Sequence, residues 1–346
     1  MSRPDPESEI RAILLRNIEG ANFWSRRPVV RMDLVAGAYE EISSADVPGF
    51  RESLERAMPG LMEHRCSEGE RGGFLTRLDL GTYAPHIIEH VALELQNMIG
   101  HHVGYGKTRG GDAPGEYTLV FEYRHPAVGL RAATLALQIV RRAFAGTLDG
   151  LGDTVSELRE VAMSPVAKTA KRRVPIAITG GEARAETRAE LARRGVSPEN
   201  IVDVAPSRIL AEGLPFSRCD MAIITDASIS DVPGRYREPE NARKLVSVVC
   251  DAASDGGIVV APTGEYYIHE YARKRGCRLA IFWLGERGAL HGDRALPTAW
   301  VSGDRIRIQL AHGRRPKDEV VHDGAPFVGQ IAAALAAAVL DEHRGA

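Results

Sequence analysis

Cysteine is scarce in this chain: Cys66, Cys219, Cys250 and Cys277 are scattered over 346 residues without a single C-x-x-C pair. That spacing argues against both a disulfide framework and a cysteine zinc site, so reduced thiols are expected. Aromatic residues make up only 6% of the chain. No apolar run reaches the roughly 20 residues that cross a bilayer, so a membrane is not an expected partner. Charge of one sign is also lacking, because the net charge is -2. Nothing in that balance calls for nucleic acid. The first residues, Met1 to Glu7, are polar and acidic with no apolar core behind them, so the expected location is the cytoplasm. What remains is a chain 44% hydrophobic and 26% charged, long enough for two globular domains with a core each.

One stretch concentrates chemistry. Pro85 to Leu95 reads as an apolar helix in which His86, Glu89 and His90 stand at i, i+3 and i+4 and therefore share a face. Their spacing is H-x-x-E-H, the inverted zinc-peptidase motif. Two neutral imidazoles can hold zinc while Glu89 takes a proton from water as general base. The same residues would also suit a half-buried helix edged by incidental polar groups, so the flanking sequence matters. A third protein ligand is needed, and His64, Glu122 and Glu94 are the candidates. Glu94 is rotated about 80° from His86 around the helix, which suits a supporting partner better than a ligand.

The apolar alternations Ile10 to Ile18 and Val29 to Leu34 predict strands, and Arg51 to Met62 predicts a helix. Residues 63–74 form a polar, glycine-rich loop. Gly81-Thr82 is the expected N-cap of the histidine helix, with Pro85 in its first turn and Ile87, Val91, Leu95 and Met98 as its core face. A second glycine-rich basic loop follows over 100–111, where Lys107 and Arg109 are candidate partners for a substrate carboxylate or phosphate. Tyr117 to Tyr123 alternates as a strand carrying Glu122, and Ala127 to Ala145 predicts an amphipathic helix.

Several of these segments carry a resemblance. Gly20-Ala21-Asn22-Phe23-Trp24-Ser25, Glu63-His64-Arg65-Cys66, Gly72-Gly73-Phe74, Gly81-Thr82, His86 through Gln96, and Gly106-Lys107-Thr108-Arg109 resemble the amino-terminal domain of cyanophycin synthetases in order and spacing. The likeness covers roughly the first 160 residues. It implies a domain that holds a polymer of aspartate carrying arginine side chains, and in some members a metallopeptidase that trims that polymer. The hydrolytic positions would map to His86, Glu89 and His90. A full-length synthetase of that family is an implied partner, and association into a homo-oligomer is plausible. Such an enzyme would continue into an ATP-grasp domain, for which this sequence shows no counterpart.

A linker over 163–173, with proline and basic residues, leads into the second half. There, Val174 to Ile178, Ile201 to Val204, Ala222 to Thr225, Ile258 to Ala261 and Leu279 to Leu284 predict strands. Helices are predicted over Arg184 to Arg193, Asn241 to Ala253, Gly264 to Arg275 and Pro326 to Leu340, giving a mainly parallel sheet. This half resembles the central domain of Mur ligases. The expected architecture is thus an α+β domain over 1–162 followed by an α/β Mur ligase-like domain over 174–346. Its phosphate loop is degenerate. Ala183 replaces a glycine, Arg184 the lysine and Ala185 the hydroxyl residue, while Glu186 is expected to put negative charge where phosphate would sit. A like-charge contact at 4 Å would cost about 4 kcal/mol at an effective dielectric near 20. Asp226 to Asp231 also departs from the family pattern. No ATP binding is expected, and the second half reads as a pseudo-ligase.

These readings converge on a zinc-dependent peptidase acting on cyanophycin or a related aspartate–arginine polymer. The competing expectation is a non-catalytic protein that binds the polymer or a synthetase.

Overall fold

A computed structural model of the protein describes residues 3–66, 69–166, 172–283, 296–310, 317–320 and 327–344. Two compact units emerge, one of 1–19 with 24–169 and one of 170–346 with Gly20–Phe23. The predicted linker is described only at its ends, and Lys168, Lys171 and Leu284 lie outside the described residues.

In the first unit the helical turn α1 (Pro6–Glu9) leads into strands β1 (Arg11–Ile18) and β2 (Val29–Val35). Helices α2 (Phe50–Ala57), α3 (Gly73–Leu80) and α4 (Ala84–Asn97) follow, then strands β3 (Gly106–Gly110) and β4 (Glu116–Glu122), and finally helices α5 (Pro126–Ala145) and α6 (Thr154–Ala162). The sheet is antiparallel in the order β1-β2-β4-β3. Helices α4 and α5 pack side by side, α4 against β3 and β4, α5 against β1 and β2. Their apolar faces close one core with Met32, Leu34, Leu119 and Phe121 of the sheet.

The helix expected over Arg51 to Met62 is interrupted. Pro59 lacks an N–H and disfavours helical backbone in the residue before it. Met58 accordingly turns out at φ -138°, and a 3-10 turn, Pro59–Glu63, completes the segment. The sequence placed β3 and the first two residues of α3 inside glycine-rich loops, with no element predicted over 75–80. Gly72, at φ 80°, turns the chain into α3, and five residues of the second loop are β3, held in register by β4.

The second unit is α/β. Its strands β5 (Arg173–Thr179), β6 (Ile201–Asp203), β7 (Arg218–Ile224), β8 (Ile258–Pro262) and β9 (Arg278–Phe282) are joined by β10 (Thr298–Ser302), β11 (Arg305–Gln309) and β12 (Lys317–Val320). Their order is β6-β5-β7-β8-β9-β10-β11-β12, parallel from β6 to β10 and antiparallel from β10 to β12. The helices are α7 (Ala183–Arg193), α8 (Pro206–Glu212), α9 (Gly234–Arg237), α10 (Pro239–Ser247), α11 (Val249–Ala252), α12 (Tyr266–Lys274) and α13 (Val328–Arg344). Ile331, Leu335 and Val339 of α13 share a core with Leu191 of α7 and with Ile176, Ile178, Met221 and Ile223 of the strands. Near-continuous apolar strands of this kind are what a parallel sheet covered on its faces requires. No helix among the described residues is long and apolar enough to cross a membrane.

Candidate metal centre

Helix α4 presents His86, Glu89 and His90 to a cavity of about 1320 Å³ within the first unit, lined also by His64, Cys66, Glu94, Lys107, Thr108 and Arg109. The helix is buried almost throughout, and Ile87, Val91 and Leu95 fix its roll by packing into the core. Its start differs from expectation. Gly81, at φ 95°, ends α3, and Tyr83 occupies the N-cap position without a side-chain bond. Thr82 is used elsewhere, its hydroxyl lying 3.0 Å from Nδ1 of His86.

That bond turns Nε2 of His86 to Cys66, whose Sγ is 3.3 Å away. Ligand atoms of Cys66, His86 and His90 all fall within 4.8 Å of one another. Cys66 sits at φ 54°, a left-handed backbone that costs a non-glycine residue about 1 kcal/mol or more and that clusters at functional sites. One thiolate with two imidazoles is a donor set suited to zinc, which tolerates three protein ligands in open sites. The sequence argued against a cysteine zinc site because no thiol pair was present. A single thiol from the loop before α3 supplies the donor instead, and the only sequence signal was its place beside His64 in a loop rich in reactive side chains.

His64 and Glu122, the expected third ligands, are occupied otherwise. His64 Nδ1 lies 2.9 Å from Nδ1 of His90, and its Nε2 lies 3.1 Å from Oε2 of Glu94. Both ring nitrogens of His64 are therefore spent behind His90, with Glu94 supporting the pair as its place on the helix suggested. A proton on His90 Nδ1, donated to His64, would leave His90 Nε2 as a lone pair for a cation. Phe74 stacks on His90 with ring centroids 4.0 Å apart and holds the ring plane. Glu122 is turned away, its carboxylate bonded to Arg27 at 3.1 Å and to the Ser25 hydroxyl at 3.4 Å. Strand alternation left its side open in the sequence, and the guanidinium of Arg27 decides it.

Burial tunes the group. It pushes the His86 pKa down to about 4, helped by Arg77, and lowers that of His90 well below the usual imidazole value, helped by His86 and His64. Neutral imidazoles at neutral pH need lose no proton to bind a cation. Burial raises Glu89 to about 7, against the opposing pull of the Thr108 hydroxyl and Arg109. Thr108 Oγ1 donates to Glu89 Oε2 at 2.6 Å. A carboxylate poised near 7 is matched to general base work. Lys107 and Arg109 lie on β3 at the cavity wall, where the sequence placed a loop.

In the second unit, the glycine turn after β5 holds a side chain of its own. Oδ2 of Asp226 accepts from the Gly181 N–H at 3.2 Å, and Oδ1 accepts from Ser228 N at 2.8 Å. A Cβ on Gly181 would stand 2.6 Å from the Ser228 carbonyl oxygen, so only glycine permits this approach. Arg184, in the lysine position, is bound to Asp203 at 2.8 Å and to the Gly181 carbonyl at 3.0 Å. Glu186 does not face the turn as expected, because its carboxylate lies against Gly329 of α13. Asp226 is the acidic group that occupies the backbone N–H.

Comparison with known proteins places the cavity. Residues 29–145 match the family model described as the cyanophycin synthase-like N-terminal domain. A cyanophycin synthetase of Geminocystis herdmanii is 39% identical over 163 residues, 44% of this chain and 19% of that protein. One of Synechocystis sp. is 44% identical over 126 residues, 36% of this chain and 14% of its own length. The matched stretch is thus under a fifth of these relatives. Among solved structures, MurF from Acinetobacter baumannii aligns with TM-score 0.32 and 14% identity, covering 63% of this chain and 47% of that one. Through residues 29–145, which contain Cys66, His86, Glu89 and His90, the chain is similar to the amino-terminal domain of cyanophycin synthetases.

Proposed function

We propose that the first unit is a metal-dependent peptidase acting on cyanophycin or a related aspartate–arginine polymer. The observation that carries this reading is the convergence of Cys66, His86 and His90 within 4.8 Å beside Glu89. A zinc ion held by these three residues would supply Lewis-acid polarisation of a peptide carbonyl and acidify water from about 15.7 to near 7. Glu89 then takes the proton at its carboxylate and returns it to the departing amine. Thr108 holds Oε2 of Glu89, while Lys107 and Arg109 bind carboxylates of the polymer. The likeness to cyanophycin synthetases supports the choice of polymer, and Cys66 as a third donor beside the two histidines supports hydrolysis at this site.

The second unit serves as a scaffold in this reading, and ligation is not assigned to it. The same likeness also favours a second reading, a non-catalytic module that binds the polymer or joins a synthetase.

Elemental analysis of the purified chain with a cleavage assay on cyanophycin separates the two. The expected result is about one zinc per chain and polymer shortening that disappears in Glu89→Gln. Full cleavage by that variant, or no cleavage by the zinc-loaded wild type, defeats the peptidase reading.

A further inference from the structure

Among the described residues, strand β3 is the outer strand of its sheet and pairs only with β4. Its ladder is bracketed by the Glu122 N–H donating to the Tyr105 carbonyl at 2.9 Å and the Gly111 N–H donating to the Glu116 carbonyl at 2.6 Å. Hydrogen bonding alternates along an antiparallel pair. Lys107 and Arg109, opposite Val120 and Thr118, therefore bond to β4, and Gly106 and Thr108 turn their backbone N–H and C=O groups to the open side. These same two residues touch the base. Thr108 donates its hydroxyl to Glu89, and a Cβ on Gly106 would stand 2.7 Å from Cγ of Glu89. The open edge thus runs beside the reactive carboxylate.

Charge on the cavity wall points to the occupant. Arg65, Arg77, Lys107 and Arg109 line it, whereas Glu63 is bonded to Arg71 and Glu94 to His64.

We propose that β3 is a substrate-docking strand: an extended acidic peptide adds to its open edge through the backbone groups of Gly106 and Thr108, its carboxylates meeting Arg109 and Lys107. Strand addition supplies affinity through main-chain bonds and specificity through alternate side chains. The inference rests on the reading of this cavity as a peptide site, and it adds the conformation and register in which the peptide is held. An extended chain in a fixed register brings one peptide bond next to Glu89, so cleavage position is set by the strand.

The test measures binding and needs no turnover. The full chain carrying Glu89→Gln is titrated with a fluorescent oligo-aspartate peptide and with a version N-methylated at every residue. Loss of main-chain bonds should weaken the methylated peptide about ten-fold or more. Thr108→Pro removes the outward N–H at a place where an edge strand tolerates proline and should weaken the parent peptide by at least about ten-fold, while Thr108→Ala, which keeps that N–H, should not. Circular dichroism melting confirms that both variants fold. Equal binding of the methylated peptide and the parent, or no binding of the parent, overturns the docking strand. Selective binding of the parent without cleavage by the zinc-loaded wild type would retain the docking strand and defeat only the peptidase reading.

Discussion

The hydroxyl of Thr108 donates a 2.6 Å hydrogen bond to Oε2 of Glu89, and Gly106, two residues earlier on the same strand, leaves room for that carboxylate. A methyl on Gly106 would stand 2.7 Å from Cγ and 2.8 Å from Cδ of Glu89. Gly106→Ala is therefore expected to displace the base without touching Cys66, His86 or His90. Cleavage should fall by about a hundred-fold, in line with misplacement of a catalytic group by an ångström or so. Zinc content measured on the same sample should stay at the wild-type level.

Glu89 gives a pH signature in the metal-free chain. Its pKa rises from 4.5 to about 7 on folding, chiefly through burial. Between those values the folded state binds the extra proton, so stability falls as pH rises through that window. Glu89→Gln carries no such proton. The variant should gain on the wild type from pH 4.5 to about 7 and then hold a constant advantage, on the order of 3 kcal/mol. His86, lowered from 6.5 to about 4, acts in the opposite direction but is present in both chains and drops out of the difference. Urea titrations at several pH values check the trend.

Cys66 is expected to dominate zinc retention. Cys66→Ser replaces a soft thiolate by a neutral hydroxyl and should lower zinc affinity by about a hundred-fold or more. A competition titration against a chromophoric chelator reads this directly. An unchanged affinity would remove Cys66 from the ligand set.

Glu122 is expected to matter for stability and not for metal. Glu122 is 5% exposed, and its carboxylate is bonded to Arg27 and Ser25. Glu122→Ala should destabilise the chain by about 1 kcal/mol, since the largely exposed Arg27 turns to water once its acceptor is gone. Zinc stoichiometry should not change.

The glycine turn of the second unit should reject nucleotide. With Asp226 accepting from the Gly181 N–H and Arg184 bound to Asp203, no cationic cradle faces a phosphate there among the described residues. ATP with magnesium at about 1 mM should leave thermal unfolding unshifted, whereas a site with a Kd of about 10 μM would add about 2.7 kcal/mol. A clear upward shift would refute the pseudo-ligase reading.

Much of the scaffold was legible in the chain. Strong periodicity identified β1, β2, β4, α4 and α5, and the alternation of apolar strands with helices identified the parallel core of the second unit. The glycine-rich segment 100–111 misled, because β3 carries little apolar periodicity of its own and is fixed by β4. Pro59 marked a helix break that the recurrence of Leu54, Met58 and Leu61 concealed.

For the candidate centre, the sequence by itself determined that His86, Glu89 and His90 share a helix face, since three positions within five residues are bound together by the helical repeat. The tertiary structure decided everything that spans separate segments. It brought Cys66 to His86 across 20 residues, set His64 behind His90, gave Glu122 to Arg27 and laid the open edge of β3 beside Glu89. Local geometry follows from backbone periodicity, whereas the partners of a side chain depend on which distant segments the core packs together, and no spacing along the chain encodes that.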